Sequence, residues 1–125
     1  MGDITANFSD SEFLCQCGLP CALSSQSNIY IPFVRKLQEI RNQLGPMLIN
    51  SGSRCVAYNR KVGGVLNSKH LAIYKGKSLA ADIHCVSRVA RHKMIREAIN
   101  LGLSVGINET FIHLDARKIP VLFTY

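Results

Sequence analysis

Three polar side chains stand in segments whose other residues are apolar or turn-forming: His70, Asp82 and His113. Asp82 lies among small apolar residues, where a carboxylate is costly unless it is paired or bound to a cation. Two imidazoles and one carboxylate are a ligand set used by catalytic zinc sites, in which water takes the fourth position. The spacing alone does not distinguish a zinc site from a structural role. In a structural role the histidines would be hydrogen-bonded core residues and Asp82 would pair with Arg88 or Arg54, so this interpretation stays open here.

The elements that position these side chains follow from the hydrophobic pattern. Apolar residues at three- and four-residue steps predict a helix over residues 31–44, with Pro32 in its first turn. Ser87 should cap a second long helix that ends at Gly102. Shorter segments predict a helix at 55–62 and strands at 47–53, 79–85, 103–107, 110–116 and 121–125. The expected fold is α+β: one domain over residues 1–125, with an irregular N-terminal wrap at 1–30 and a core at 31–125 in which helices pack on an antiparallel sheet.

Composition bounds the class of protein. The chain has 125 residues, of which 47% are hydrophobic and 18% charged, as in an ordinary globular domain. No apolar run approaches the roughly 20 residues needed to span a bilayer, so we expect no membrane insertion. The net charge of +7 favours polyanionic partners. Trp is absent and aromatic residues make up only 7%, which disfavours stacking on nucleic acid; we expect no nucleic-acid partner.

Five cysteines are an odd number for a disulfide framework. Cys15, Cys17 and Cys21 crowd one segment and could supply three of the four ligands of a structural zinc, with Cys55 or Cys85 as the fourth. The other interpretation is that the thiols behave as small buried hydrophobic groups, with at most one disulfide. We expect the second, and therefore no second zinc at the cysteines.

Five short sequence blocks occur in a fixed order: Ser-Gly-Ser-Arg at 51–54, Asn-Arg-Lys-Val-Gly-Gly at 59–64, Ser-Lys-His at 68–70, Ala-Ala-Asp-Ile at 80–83 and Phe-Ile-His-Leu-Asp at 111–115. Together they closely resemble the zinc D-alanyl-D-alanine carboxypeptidase family. That family includes phage and bacterial peptidoglycan peptidases and shares its fold with the hedgehog signalling domain. Residues 8–17 resemble the opening of its phage-type subgroup.

The resemblance implies a role for four residues. His70, Asp82 and His113 match the three ligands of one catalytic zinc, and Arg54 matches the arginine that contacts the scissile carbonyl or its oxyanion. The link between the first two ligands is longer than usual in the family, with residues 72–78 filling it.

The second departure from the family pattern concerns the general base. Thr110 stands where several members carry a carboxylate, three residues before the last histidine. Two residues could replace that base. Asp115 shares a strand face with His113 and is slightly preferred, either as the base or as the partner that orients this ligand. Glu109, at the start of the strand, is the alternative.

The implied function is zinc-dependent hydrolysis of an amide bond in peptidoglycan stem peptides, by a D,D-carboxypeptidase or an endopeptidase of phage-lysin type. The alternative is a non-catalytic, metal-binding, hedgehog-like domain that binds a partner or a cell-wall component. We expect a monomer. The first residues carry acids where a secretory signal would carry bases. The chain is thus expected to be made in the cytoplasm without such a signal and to act on the cell wall after release, or as part of a virion.

Overall fold

A computed structural model describes residues 2–125 and contains a five-stranded sheet in the order β1-β2-β4-β3-β5. The strands are β1 (Ile49–Ser51), β2 (Ala80–His84), β3 (Ser104–Ile107), β4 (Phe111–Asp115) and β5 (Leu122–Thr124). The helices are α1 (Ile31–Leu44), α2 (Val56–Lys61) and α3 (Arg88–Asn100). The predicted α+β class is confirmed. None of the helices within residues 2–125 is long and apolar enough to cross a membrane.

Alternation along β2 and β4 separates a core face of the sheet from a polar face. Ile83, Ile112 and Leu114 are fully buried in the hydrophobic core together with α1 and α3 residues. Because successive strand residues point to opposite faces, Asp82 and His113 lie on the other face. The sheet thus holds the polar residues away from the helices and close to the loops between β1 and β2.

The sheet is mixed rather than antiparallel as predicted. β5 pairs with β3 in parallel register, Val105 opposite Leu122, while the three other strand pairs are antiparallel. The six residues between β4 and β5 reverse the chain and carry it past β3 to the sheet edge. A strand that reverses direction after β4 must run parallel to β3, because β3 is itself antiparallel to β4.

Residues 2–30 contain a 3-10 turn at Asp10–Phe13 and are otherwise irregular. This N-terminal segment nevertheless supplies core residues, since Phe8 and Phe13 are 1% and 0% exposed. The N-cap of this turn is Ser9, whose backbone N–H donates to Glu12 Oε2 at 2.8 Å. Asp10 accepts hydrogen bonds from the backbone N–H and Oγ of Ser27, which closes the segment onto itself.

Candidate metal centre

Strand pairing places Asp82 directly opposite His113, since these two residues are register partners of β2 and β4. The distance from His113 Nδ1 to Asp82 Oδ1 is 2.9 Å. His70 reaches the same point from the long loop between α2 and β2, with Nε2 3.2 Å from Asp82 Oδ1 and 3.2 Å from His113 Nδ1. All three side chains are buried, with residue exposures of 2–4%. The structure therefore brings together the three predicted ligands, which are 43 residues apart at the extremes.

Hydrogen bonds at the far side of each ring decide which nitrogen faces the centre. His70 Nδ1–H donates to the Gly52 carbonyl at 2.6 Å, because a carbonyl can only accept. His113 Nε2–H donates to Asp115 Oδ2 at 2.8 Å. In the neutral rings, His70 Nε2 and His113 Nδ1 therefore carry no proton, and each directs a lone pair at the centre. Partners of this kind hold metal-ligating histidines in place in known sites.

The donor set fits a zinc ion. Two ring lone pairs and a carboxylate oxygen converge within 3.2 Å, and three acceptors repel one another unless a cation lies between them. Ligand atoms of a tetrahedral zinc with bonds of about 2.0–2.1 Å lie about 3.3 Å apart. The three side chains form a group that could hold a metal, and we conclude that they match zinc in chemistry and spacing.

Electrostatics within the group favour a charged carboxylate. Burial by itself would raise the pKa of Asp82, but the contacts of its carboxylate with the His113 and His70 rings outweigh burial and hold that pKa well below its usual range. Asp82 Oδ2 also lies 3.3 Å from Arg54 Nη2. Pairing with Arg54, the alternative considered from the sequence, therefore occurs through one oxygen while the other faces the histidines. Arg88 is exposed at the start of α3.

Asp115 is completely buried and both of its oxygens are occupied. Arg117 donates to it from Nη2 at 2.6 Å and from Nε at 2.9 Å, and His113 donates at 2.8 Å. Burial would raise the pKa of Asp115, but the Arg117 and His113 hydrogen bonds hold it well below its usual range. This geometry matches the orienting partner of the ligand His113, one of the two roles predicted for Asp115. It leaves no oxygen free for the role of general base.

Replacing Asp115 by asparagine should weaken zinc binding by a factor of roughly 10–100. The amide would donate to His113 Nε2 and so place the ring proton on Nδ1, the atom that must bind the metal. Competition with a chromophoric chelator measures this affinity, with Glu39→Gln on the exposed face of α1 as the control. Unchanged affinity in the Asp115→Asn protein would contradict an orienting role.

Arg54 is held at the edge of the centre by three partners. Its Nε donates to Ser51 Oγ, its Nη1 to Asn59 Oδ1 and its Nη2 to Asp82, each at 3.3 Å. Asn59 in turn donates to the Val65 carbonyl. A Cβ at Gly64 would lie 2.1 Å from Asn59 Oδ1, so any larger residue here would displace the Asn59 side chain from Arg54. The sequence blocks at 51–54 and 59–64 thus hold the Arg54 guanidinium in place.

Residues of the first and third sequence blocks also fix the backbone around His70. A Cβ at Gly52 would lie 2.6 Å from Phe13 Cα, so glycine lets the carbonyl that accepts from His70 sit against the N-terminal segment. Ser68 Oγ accepts from the His70 backbone N–H at 3.2 Å. Arg54 N–H donates to the His70 carbonyl at 2.8 Å. These bonds tie the His70 loop to the Arg54 loop.

Glu109 lies away from the ligands, exposed in the turn between β3 and β4. It lines a small surface cavity together with Tyr125, and Tyr125 also lines the cavity of about 540 Å³ that contains the metal centre. Among the described residues, Asp82 is the only carboxylate that lines that larger cavity. The structure therefore does not bring Glu109 into the centre itself.

The sequence analysis did not identify two aromatic residues that line the metal-centre cavity, one in β5 and one directly after it. Phe123 packs on His113, with ring centroids 5.4 Å apart, and Tyr125 lines the cavity wall. Burial, and then the negative charge of Asp82, raise the pKa of Tyr125 to about 12, so it stays a neutral hydrogen-bond donor. The only signal in the sequence was an apolar strand at 121–125, and its position depended on the parallel pairing with β3.

Comparison with known proteins agrees with this geometry. A family model described as Peptidase M15 matches residues 6–115. The match includes the three ligand candidates, Arg54 and both candidate base residues. A search of the curated proteins finds no match.

Proposed function

The chain belongs to the peptidase M15 family, and from that premise we propose that it is a zinc-dependent peptidase that hydrolyses an amide bond in peptidoglycan stem peptides. The observation that carries the proposal is the convergence of three buried ligand atoms. Two of them are ring nitrogens, and a hydrogen bond from the other nitrogen of each ring fixes its tautomer. Zinc in such a site lowers the pKa of its water toward about 7 and polarises a carbonyl. The chain's own residues must do the rest.

Arg54 is the residue best placed to stabilise charge that develops on the substrate. Its side chain is 14% exposed and anchored by Ser51, Asn59 and Asp82, so it needs little reorganisation during the reaction. A fixed cation beside the scissile carbonyl favours the oxyanion of the transition state over the neutral carbonyl of the substrate. We assign Arg54 this role.

Glu109 is the candidate proton acceptor. Asp115 is committed to His113 and Arg117, whereas the Glu109 carboxylate is exposed and lines a neighbouring surface cavity that Tyr125 also lines. For this role, bound substrate has to draw the Glu109 carboxylate to the attacking water, where it would take a proton and return it to the leaving amine.

Replacing Glu109 by glutamine should lower kcat by roughly 100-fold or more while zinc content stays unchanged. Glutamine keeps the size of the side chain but cannot accept the proton. Release of new amino groups from peptidoglycan measures the rate, and Glu97→Gln on α3 serves as the control. Wild-type turnover in the Glu109→Gln protein would remove Glu109 from the mechanism.

The shape of the cleft favours an extended substrate. Lys69 and Arg117 line the metal-centre cavity and also a second cavity of about 910 Å³, which Lys36 and Lys118 line as well. The binding surface therefore continues past the metal centre along a basic wall. Such a surface suits an anionic polymer, and we propose endopeptidase cleavage within a cross-linked stem as the better fit than removal of one terminal residue.

Masses of the products from purified peptidoglycan identify the bond. Fragments cut inside the stem or cross-bridge would support the endopeptidase, whereas loss of one terminal D-alanine would identify a carboxypeptidase. A zinc-loaded protein that releases neither product is not an enzyme on this polymer. The same masses would then favour the second candidate.

The second candidate function is a non-catalytic, metal-binding domain. The observation in its favour is that Asp82 is the only carboxylate lining the metal-centre cavity among residues 2–125. In addition, Thr110 stands where several members of the family carry a carboxylate. A domain of this kind would bind peptidoglycan without cleaving it, and co-sedimentation with the polymer measures that binding.

For either function we propose that the protein acts as a monomer on the cell wall, after release or as part of a virion. The net charge of +7 supports an anionic wall polymer as the partner.

A further inference from the structure

Four of the five cysteines come together at one point outside the cleft. Cys15, Cys17 and Cys21 lie in the N-terminal segment, and Cys55 lies immediately before α2. Their four sulfur atoms are all within 4.8 Å of one another, and none is in a disulfide. The fifth, Cys85, belongs to the hydrophobic core. The five cysteines thus divide into a group of four and one residue of the hydrophobic core.

This arrangement departs from the expectation of thiols that act as small buried hydrophobic groups. Cys17, Cys21 and Cys55 are only partly buried, whereas thiols that serve as hydrophobic groups are usually fully enclosed. The sequence could not choose between Cys55 and Cys85 as a fourth member, because that choice depends on how the N-terminal segment crosses the loop before α2.

The spacing of the sulfur atoms suits a tetrahedral metal site. Zinc bound by four thiolates has Zn–S bonds of about 2.3 Å, which place the sulfur atoms about 3.8 Å apart. All six pairwise distances in this group stay within 4.8 Å. Small side-chain adjustments therefore complete the tetrahedron.

Hydrogen-bond donors lie against the sulfur atoms of the cysteine group. The Cys55 backbone N–H points at Cys15 Sγ at 3.3 Å, and the Tyr58 N–H points at Cys55 Sγ at 3.4 Å. Ser24 Oγ–H donates to Cys21 Sγ at 3.2 Å. Donors of this kind stabilise thiolates, and three of the four sulfur atoms have one.

We propose that Cys15, Cys17, Cys21 and Cys55 bind a structural Zn²⁺ ion as four thiolates, separate from the metal centre in the cleft. Binding releases the four thiol protons and involves no change of oxidation state. Four protein ligands leave no position for water, so this ion has no part in hydrolysis.

The proposed ion would tie the N-terminal segment to the loop that builds the cleft. Cys55 follows Arg54 directly, and the Ser53 N–H donates to the Phe13 carbonyl at 2.9 Å. The same loop carries Gly52, whose carbonyl accepts from His70. The cysteine group therefore supports the backbone on which both Arg54 and the His70 orientation depend. The proposal of a zinc site at the cysteines does not rest on the proposed function.

Metal content of the whole protein, produced in zinc-supplemented medium under reducing conditions, tests the proposal. We expect two zinc ions per chain in the wild-type protein, one in Cys17→Ser and one in His113→Ala. Cys85→Ser, the matched control, should keep two. A Cys17→Ser protein that keeps the full zinc content of the wild type, whether that is one ion or two, would overturn the proposal.

X-ray absorption at the zinc edge keeps the test independent of variants that fail to fold. Wild-type protein should show zinc–sulfur scattering at about 2.3 Å in addition to the nitrogen and oxygen shell. In His113→Ala, the remaining zinc should have sulfur neighbours alone. Absence of sulfur scattering in the wild type contradicts the cysteine site, and it leaves the metal centre in the cleft untouched.

Discussion

Replacing His113 by alanine should remove the zinc ion of the cleft and abolish peptidase activity. His113 supplies one of three ligand atoms, and its loss leaves Asp82 and His70 with an incomplete site. Zinc sites with two protein ligands bind the ion too weakly to retain it, and without zinc no group in the cleft lowers the pKa of water to neutrality. We therefore expect activity at the level of the protein-free control.

The measurement is amine release from peptidoglycan together with zinc content after gel filtration. His84→Ala is the matched control, because His84 is exposed at the end of β2, the strand that carries Asp82. It should keep wild-type activity and zinc. A His113→Ala protein that is folded, retains the full zinc content and still cleaves would show that the ion lies elsewhere.

Replacing Arg54 by alanine should lower kcat by roughly 10²–10³ and leave the cleft zinc in place. The effect falls on kcat because the guanidinium stabilises charge that forms only in the transition state. Arg54→Lys should recover little of this loss. A lysine ammonium lacks the planar fork that lets Arg54 contact Ser51, Asn59 and Asp82 at once.

Steady-state kinetics on a soluble stem peptide separates this role from simple substrate binding. A raised KM with unchanged kcat would mean that Arg54 holds a carboxylate of the substrate in both states. Arg96→Ala, at an exposed position of α3, is the control for loss of one positive charge. Wild-type kcat and KM in Arg54→Ala would contradict any role in the reaction.

Much of the fold follows from local pattern. The periodic apolar residues predicted α1 at its observed bounds, and Ser87 caps α3 through Ala90 N–H as the sequence indicated. The parallel pairing of β5 was not predictable in this way, because it depends on where a six-residue link crosses β3. The direction of an edge strand is a property of the connection and leaves no mark on the strand's own residues.

The convergence of the three candidate ligands was predictable because these residues stand in recognisable blocks, whereas the supporting contacts were not predictable. The strand pleat indicated that Asp115 faces the same way as His113, but only the position of Arg117 shows that both carboxylate oxygens are occupied. The participation of Cys55 in the cysteine group likewise depends on tertiary contact across 40 residues. Side chains that meet only through loops carry no spacing signal.

The central claim is that His70, Asp82 and His113 hold the zinc on which hydrolysis depends. Its most direct test is amine release from peptidoglycan by protein treated with a chelator and then supplied with Zn²⁺, with circular dichroism used to confirm that the fold persists. We predict no release without metal and recovery of activity when Zn²⁺ is restored. Equal release in the presence of excess chelator, by protein shown to be free of zinc, would contradict the claim.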